Sequence, residues 1–198
     1  MRQTLLSSSC GLLRMEWARR AREAYLAIGR EYGATRARPL PVADFATAGP
    51  KALDVGSGTG AQPRYLEHEH PYVVHCDLDR RLSPGGDFVE CEATMLPFRD
   101  GAFDAAYLVA VIHHMPPEAA RRALAEAKRA ARLVVATAWA PARGREVAPG
   151  VYEVPWGDRA TRIYYRYELE DLIAMAPAAP LSAGVARRRR QTNYYILF

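Results

Sequence analysis

The sequence predicts an α/β protein with a mostly parallel sheet and helices on both of its faces, and three observations carry that expectation. Lys51-Ala52-Leu53-Asp54-Val55 is an apolar run ending in an acid, and it breaks into Gly56-Ser57-Gly58-Thr59-Gly60, with glycines at alternate positions. A helical segment and a second β-type run, Tyr72-Val73-Val74-His75-Cys76, then follow in the order of a right-handed βαβ unit. That second run closes in Asp77, about 20 residues past the glycine loop, where nucleotide-binding α/β folds place a carboxylate for ribose hydroxyls.

The chain has 198 residues, 49% of them apolar, which suits one domain with a substantial core. Residues 1–14 lack periodicity and are expected to be flexible, leaving 15–198 as the domain, with 15–49 as an N-terminal helical element. No apolar run approaches the roughly 20 residues of a membrane span, so no membrane segment and a cytoplasmic location are expected. Cys10, Cys76 and Cys91 are odd in number and form no C-x-x-C pair, so they read as separate core or surface thiols. The net charge is +5, almost all of it from arginine, with lysine only at Lys51 and Lys128. Arginine forks suit phosphate, which makes nucleic acid a candidate partner, although a GC-rich genome would produce the same bias without any function.

In order, Trp17, Ala21, Ala24, Tyr25 and Ile28 fall near helical spacing, giving an amphipathic helix over 15–32 that Gly33 stops. Thr35 to Pro41 is extended by its prolines, and 42–46 offers a short helix. After the glycine loop, Gln62 to Glu69 is a helix with Pro63 in its first turn. Phe88 to Cys91 is a short third strand, and Phe103 to Val111 a continuous apolar fourth strand of the kind found inside parallel sheets. It ends in Ile112-His113-His114. Pro116 to Ala131 is an alanine-rich helix, 132–138 a fifth strand, and 140–160, with its many prolines and glycines, a long irregular connection. A short helix over 167–175 and two closing strands, 182–188 and 193–198, complete the chain. His68, His70, His75 and Cys76 do not share one face, so no metal site is expected there.

The glycine loop lets backbone approach a flat polar ligand, but G-x-G-x-G preceded by an acid differs from the dinucleotide fingerprint. An acid beside the loop disfavours phosphate and favours a ligand with an ammonium group, as S-adenosylmethionine has. The alternative is a plain glycine turn after a core strand. On these residues the chain resembles the class I S-adenosylmethionine-dependent methyltransferases over about residues 50–198. That resemblance implies a Rossmann-like seven-stranded sheet ending in a reversed hairpin. It further implies cofactor contacts from Asp54, Gly56, Ser57, Gly58 and Gly60 at the methionine end, Asp77 and Leu78 at the ribose, and Glu92, Ala93 and Ala110 around the adenosyl group.

A narrower resemblance rests on Ala24-Tyr25-Leu26-Ala27-Ile28 leading into Thr35-Arg36-Ala37-Arg38-Pro39, on Leu96-Pro97-Phe98-Arg99-Asp100-Gly101-Ala102-Phe103-Asp104, on Ala110-Val111-Ile112-His113-His114, and on Trp139-Ala140. These stretches are similar to the methyltransferases that esterify 5-carboxymethyluridine at the tRNA wobble position. The likeness implies His113, Arg36, Arg162 and Trp139 on the acceptor side and the tRNA anticodon loop as substrate. It also implies a heterodimer with a small zinc-binding activator protein through the 88–91 strand. By themselves His113 reads equally as a hydrogen-bonded loop residue and Trp139 as core. The other functions weighed are methylation of a small molecule or protein, and a non-catalytic subunit of the same fold that binds RNA or a partner.

Overall fold

The computed structural model describes residues 6–35, 38–42, 49–140, 144–188 and 191–198. Its central sheet comprises β1 (Lys51–Val55), β2 (Tyr72–Asp77), β3 (Asp87–Glu90), β4 (Phe103–Val109), β5 (Ala131–Ala140), β9 (Ser182–Arg188) and β10 (Gln191–Leu197). They lie in the order β3-β2-β1-β4-β5-β10-β9. The first five are parallel, and β10 and β9 form the reversed hairpin, so the expected seven-stranded α/β fold is present. The order reverses between β1 and β4, and a doubly wound sheet opens its crevice at the carboxyl ends of strands flanking such a point.

Both faces of the sheet are covered. The helices α3 (Pro117–Ala130) and α4 (Leu169–Met175) pack beside Leu53, Leu108 and Val134 in the larger core, and α2 (Gln62–Glu69) sets Leu66 against Ala52, Tyr107 and Val135 on the other face. The helix α3 carries Ala119, Ala120, Ala123, Leu124 and Ala127 along one buried stripe, so its small side chains bring it close to the strands.

Three expectations change. The first helix, α1, spans Leu6–Thr35, so it starts before and runs past the expected 15–32. It runs through Gly33 because Gly33 is a contact residue, not a stop: a Cβ there would come within 2.8 Å of the Thr59 carbonyl oxygen. Thr59 Oγ1 also donates to the Gly29 carbonyl at 2.9 Å, so α1 lies directly on the glycine loop. The helix expected over 42–46 falls, beyond Val42, outside the described residues.

Within 140–160, expected to be irregular, are the antiparallel strands β6 (Arg145–Ala148) and β7 (Val151–Trp156), and β8 (Ala160–Tyr165) completes a second, three-stranded sheet. Pro149-Gly150 and Gly157-Asp158-Arg159 are its hairpin turns, so the residues that suggested a loop are turn punctuation. Pro155 is tolerated because β6 pairs only with Val151, Tyr152 and Glu153, leaving that end of β7 without a strand neighbour on one side among the described residues. The third change concerns cysteine: Cys76 and Cys91 are disulfide-bonded, with Cα atoms 5.9 Å apart. They end neighbouring parallel strands, a proximity that spacing along the chain does not reveal.

Candidate active site

A cavity of about 260 Å³ opens at the carboxyl ends of β1, β2, β4 and β5. Its floor includes Val55, Gly56, Ser57, Gly58, Gly60, Cys76, Asp77, Leu78, Ala93 and Ala110, and α1 roofs it with Trp17, Ala21, Tyr25, Gly29 and Tyr32. The roofing residues recur at helical spacing, so they lie on one face of α1. Arg22 of α1 bonds the buried Asp79 just beyond Asp77 at 2.5 Å, holding the roof to the end of β2.

The cofactor half is built on the turn after β1. Gly56 N and Ser57 N donate to the Cys76 carbonyl at 2.7 and 3.1 Å, tying the loop to β2. Asp77 accepts from Gly58 N at 2.9 Å and from Leu78 N at 2.7 Å. Burial pushes its carboxyl up to about 6 despite those two backbone donors. The Ser57 hydroxyl is buried and has no hydrogen-bond partner among the described residues, although buried polar groups rarely go unpaired. Gly58 takes φ +57, and a Cβ there would enter open space. An orphaned hydroxyl, an enclosed carboxylate and an open backbone at one end of a cavity fit a polar nucleoside-type group such as the adenosyl and methionine parts of S-adenosylmethionine. Ala110, at the end of β4, is held at φ +60 by the bond from its N to Thr137 Oγ1 at 2.9 Å, a strained conformation located at the cavity wall.

Two expected cofactor residues are placed elsewhere. Asp54 is buried but turned to the opposite face of the sheet from Val55, as alternation along a strand requires. Its carboxylate meets His75 Nδ1 at 3.0 Å, while His75 Nε2 meets Glu67 at 3.0 Å. Burial raises the Asp54 pKa. Burial also opposes charge on His75, but the bonds and fields of Asp54 and Glu67 together outweigh it and raise the His75 pKa. Asp54 thus lies in a buried Asp54–His75–Glu67 group and is not among the residues that line the cavity. Glu92 bonds Thr94 N at 2.9 Å and Thr94 Oγ1, and it is Ala93, not Glu92, that reaches the cavity.

The other part of the cavity gathers His113, Trp139 and Arg162, which come from three separate elements. His113 is buried in a short 3-10 turn, Ile112–His114, that follows β4. Trp139 N donates to its Nδ1 at 3.2 Å, which assigns the ring proton to Nε2 and makes that atom a donor. Arg162, on β8, is buried at 6% exposure, and its guanidinium lies 5.2 to 5.6 Å from the ring centres of Tyr164, Trp156 and Tyr32. Its Nη1 donates to Tyr164 Oη at 2.7 Å, its Nε is buried without a partner, and it joins no ion pair among the described residues. A caged cation without a carboxylate is costly, because aromatic faces recover only part of its hydration. Arg36 lies outside the described residues.

Sequence reasoning missed Tyr25, Tyr32, His114 and Tyr164 as cavity residues. The spacing of Trp17, Ala21, Tyr25, Gly29 and Tyr32 held the signal for the first two, since it marks one aromatic face with a glycine gap. Nothing local marks Tyr164, which depends on the second sheet.

Residues 53–133 match the family described as methyltransferase domain. The chain is 35% identical over 109 residues to the tRNA (carboxymethyluridine(34)-5-O)-methyltransferase of Xenopus tropicalis, covering 50% of this chain and 17% of that protein. It is 34% identical over 109 residues to the demethylmenaquinone methyltransferase of Beutenbergia cavernae, covering 48% of this chain and 45% of that protein. The chain thus matches less than half the length of these curated relatives. Among solved structures, a methyltransferase from Methanosarcina mazei superposes with TM-score 0.64 at 16% identity over 80% of this chain and 96% of that one. A DhpI complex with S-adenosylhomocysteine superposes with TM-score 0.68 at 16% identity over 92% and 96%. Residues 53–133, from β1 into β5, thus match a methyltransferase domain, and the sheet order and the superposed structures give the chain the class I methyltransferase fold.

Proposed function

We propose that the domain methylates a carboxylate, that of 5-carboxymethyluridine at the tRNA wobble position. The observation that carries this reading is Arg162, a buried guanidinium that lines the cavity, with an Nε that has no hydrogen-bond partner and no ion pair among the described residues. Guanidinium groups bind carboxylates through paired N–H bonds, so an anionic acceptor is the ligand that completes the site. The demethylmenaquinone methyltransferases among the relatives suggest another acceptor. A quinone, however, carries no anion to neutralise Arg162.

S-adenosylmethionine, when bound, supplies a methyl group on a sulfonium. The protein's own part is to hold, align and exclude water. Asp77 and Ser57 take up the polar groups of the cofactor, and Arg162 and His113 Nε2–H fix the acceptor oxygen. Trp17, Tyr25 and Tyr32 close the roof, so alignment proceeds in a space shielded from solvent. A carboxylate is already ionised at pH 7, so the site needs no general base, and His113, with its Nδ1 lone pair engaged by Trp139, is arranged as a donor. Arg38 is exposed at the cavity rim, where it suits a phosphate of the anticodon loop.

The direct experiment is transfer of labelled methyl from S-adenosylmethionine to total tRNA, with half of each sample treated with mild alkali before nucleoside analysis. The expected product is alkali-labile. Label that survives alkali would identify a base or ribose methyltransferase, and label absent from tRNA would remove the nucleic acid from the reading.

A partner is part of this proposal. β3 is the edge strand of the sheet, with Phe88 and Val89 half-buried, and Tyr65 of α2 is likewise half-buried. Such an edge is open to continuation by another chain's strand. A small zinc-binding activator added there would give a heterodimer. Val89→Lys is expected to abolish co-purification with the activator while the circular dichroism spectrum and melting point stay as in wild type. Undiminished co-purification would place the partner elsewhere.

A further inference from the structure

Tyr25 and His114 have no role in the site derived above except as walls, yet they end a chain of hydrogen bonds that begins at Arg162. The His114 ring is enclosed by Tyr25, Tyr164 and His113. Burial, and next the positive field of Arg162, press its pKa down to about 3, so the ring is neutral at physiological pH. A neutral imidazole has one N–H and one acceptor. Its N–H bonds the Ile163 carbonyl, which leaves Nε2 to accept from the Tyr25 hydroxyl 3.0 Å away. Tyr25 is bonded in turn to Tyr164, whose oxygen accepts from Arg162 Nη1 at 2.7 Å.

The proton directions in this chain are therefore fixed. The proton of Tyr25 is committed to His114, so Tyr164 must donate to Tyr25 and accept from Arg162, which has donors only. Neither hydroxyl proton is directed at a ligand, and one of the two Nη1 protons is taken by Tyr164. The guanidinium is bonded at Nη1 to Tyr164 and caged by three rings, Arg162 lines the cavity, and its Nε is buried without a hydrogen-bond partner among the described residues.

We propose that Tyr25, acting through Tyr164, is a positioning residue that aims the Nε edge of Arg162 and so sets the preference for an ionised acceptor over a neutral one. This inference rests on the carboxylate reading above. It gives α1 a role in acceptor choice. It also favours release of product, because esterification removes the charge that the aimed guanidinium selects.

The test is calorimetric binding, with S-adenosylhomocysteine present, of an anticodon stem-loop RNA carrying either 5-carboxymethyluridine or its neutral amide, 5-carbamoylmethyluridine, at the wobble position. Wild type is expected to prefer the carboxylate by about tenfold or more, the scale of a charge-assisted hydrogen bond. Tyr25→Phe keeps the ring that packs on Tyr32 and His114 but removes the hydroxyl, and is expected to cut the preference to about twofold or less, with S-adenosylhomocysteine affinity unchanged. His114→Phe should do the same, and the double variant no more, because the two act as one chain. A wild-type preference retained in Tyr25→Phe overturns the relay while leaving the carboxylate reading intact. Loss of S-adenosylhomocysteine binding in Tyr25→Phe would make Tyr25 merely structural and equally overturn it. Wild-type protein that binds both RNAs equally, or neither, overturns the carboxylate reading and the relay together.

Discussion

Arg162→Leu is expected to lower methyl transfer to the carboxylate acceptor by about a thousandfold, while S-adenosylmethionine affinity changes by less than about twofold. Two charge-assisted hydrogen bonds at roughly 2 kcal/mol each give about 4 kcal/mol, and every 1.36 kcal/mol is a factor of ten. The fold should tolerate the change. Arg162 makes no ion pair among the described residues, so the variant strands no carboxylate, and it removes a buried cation that stability alone does not require. Tyr164 loses a donor but keeps its packing against Trp139, His113 and His114. Lysine is a poor substitute, since a point charge cannot present the forked edge, and Arg162→Lys is expected to recover only a small part of the rate. Steady-state kinetics beside calorimetry with the cofactor alone separates the two halves of the site. Transfer within about threefold of wild type in Arg162→Leu would remove Arg162 from the acceptor side.

Asp77→Asn is expected to weaken S-adenosylmethionine by about 1.5 to 3 kcal/mol, the loss of a charged acceptor for ribose hydroxyls, and at the same time to stabilise the cofactor-free fold. The second effect follows from the sign of the pKa shift. Burial raises the carboxyl to about 6 in the folded chain, above its ordinary value of 3.8. A raised carboxyl means that the folded state binds the proton more tightly than the unfolded state, so its contribution to stability falls as pH rises from about 4 to 6 and stays low at neutral pH. A neutral amide escapes that cost, and a gain of about 1 to 2 kcal/mol at pH 7 is expected after allowing for the weaker acceptor it offers Gly58 and Leu78. Cofactor affinity of the wild type should correspondingly drop as pH falls through about 6, and that dependence should vanish in Asp77→Asn. Thermal melts and cofactor titrations between pH 5 and 8 read both. An amide variant that binds as tightly as wild type, or melts earlier at pH 7, would contradict this account of Asp77.

Both predictions depend on where side chains point, which the sequence disclosed unevenly. The run 51–60 and Asp77 were legible because a strand that breaks into alternate glycines and a second strand ending in an acid are local patterns with few physical meanings. Asp54 was legible as an acid at a strand end but not as one facing away from the cavity. Strand alternation puts neighbours on opposite faces, and whether the acid or Val55 takes the cavity side depends on which helix covers which face. The Glu92 carboxylate bonds Thr94 N, a local contact that the sequence did not disclose.

The sequence by itself determined the βαβ order of the first elements, the parallel sheet and the position of the glycine loop, because hydrophobic period, turn residues and the right-handed crossover act over short stretches, while the reversed hairpin was implied by the family resemblance. Tertiary structure alone decided the acceptor half. The Arg162 cage joins Tyr32 of α1, Trp156 of β7 and Tyr164 of β8, and the ring that closes the hydrogen-bond chain, His114, follows β4. The second sheet that brings these residues together lies in a stretch whose prolines and glycines concealed its strands. The Cys76–Cys91 bond and the seating of Gly33 on Thr59 belong to the same class. Each is a contact between segments that meet only once the strands are ordered in the sheet, and no periodicity along the chain encodes such a meeting.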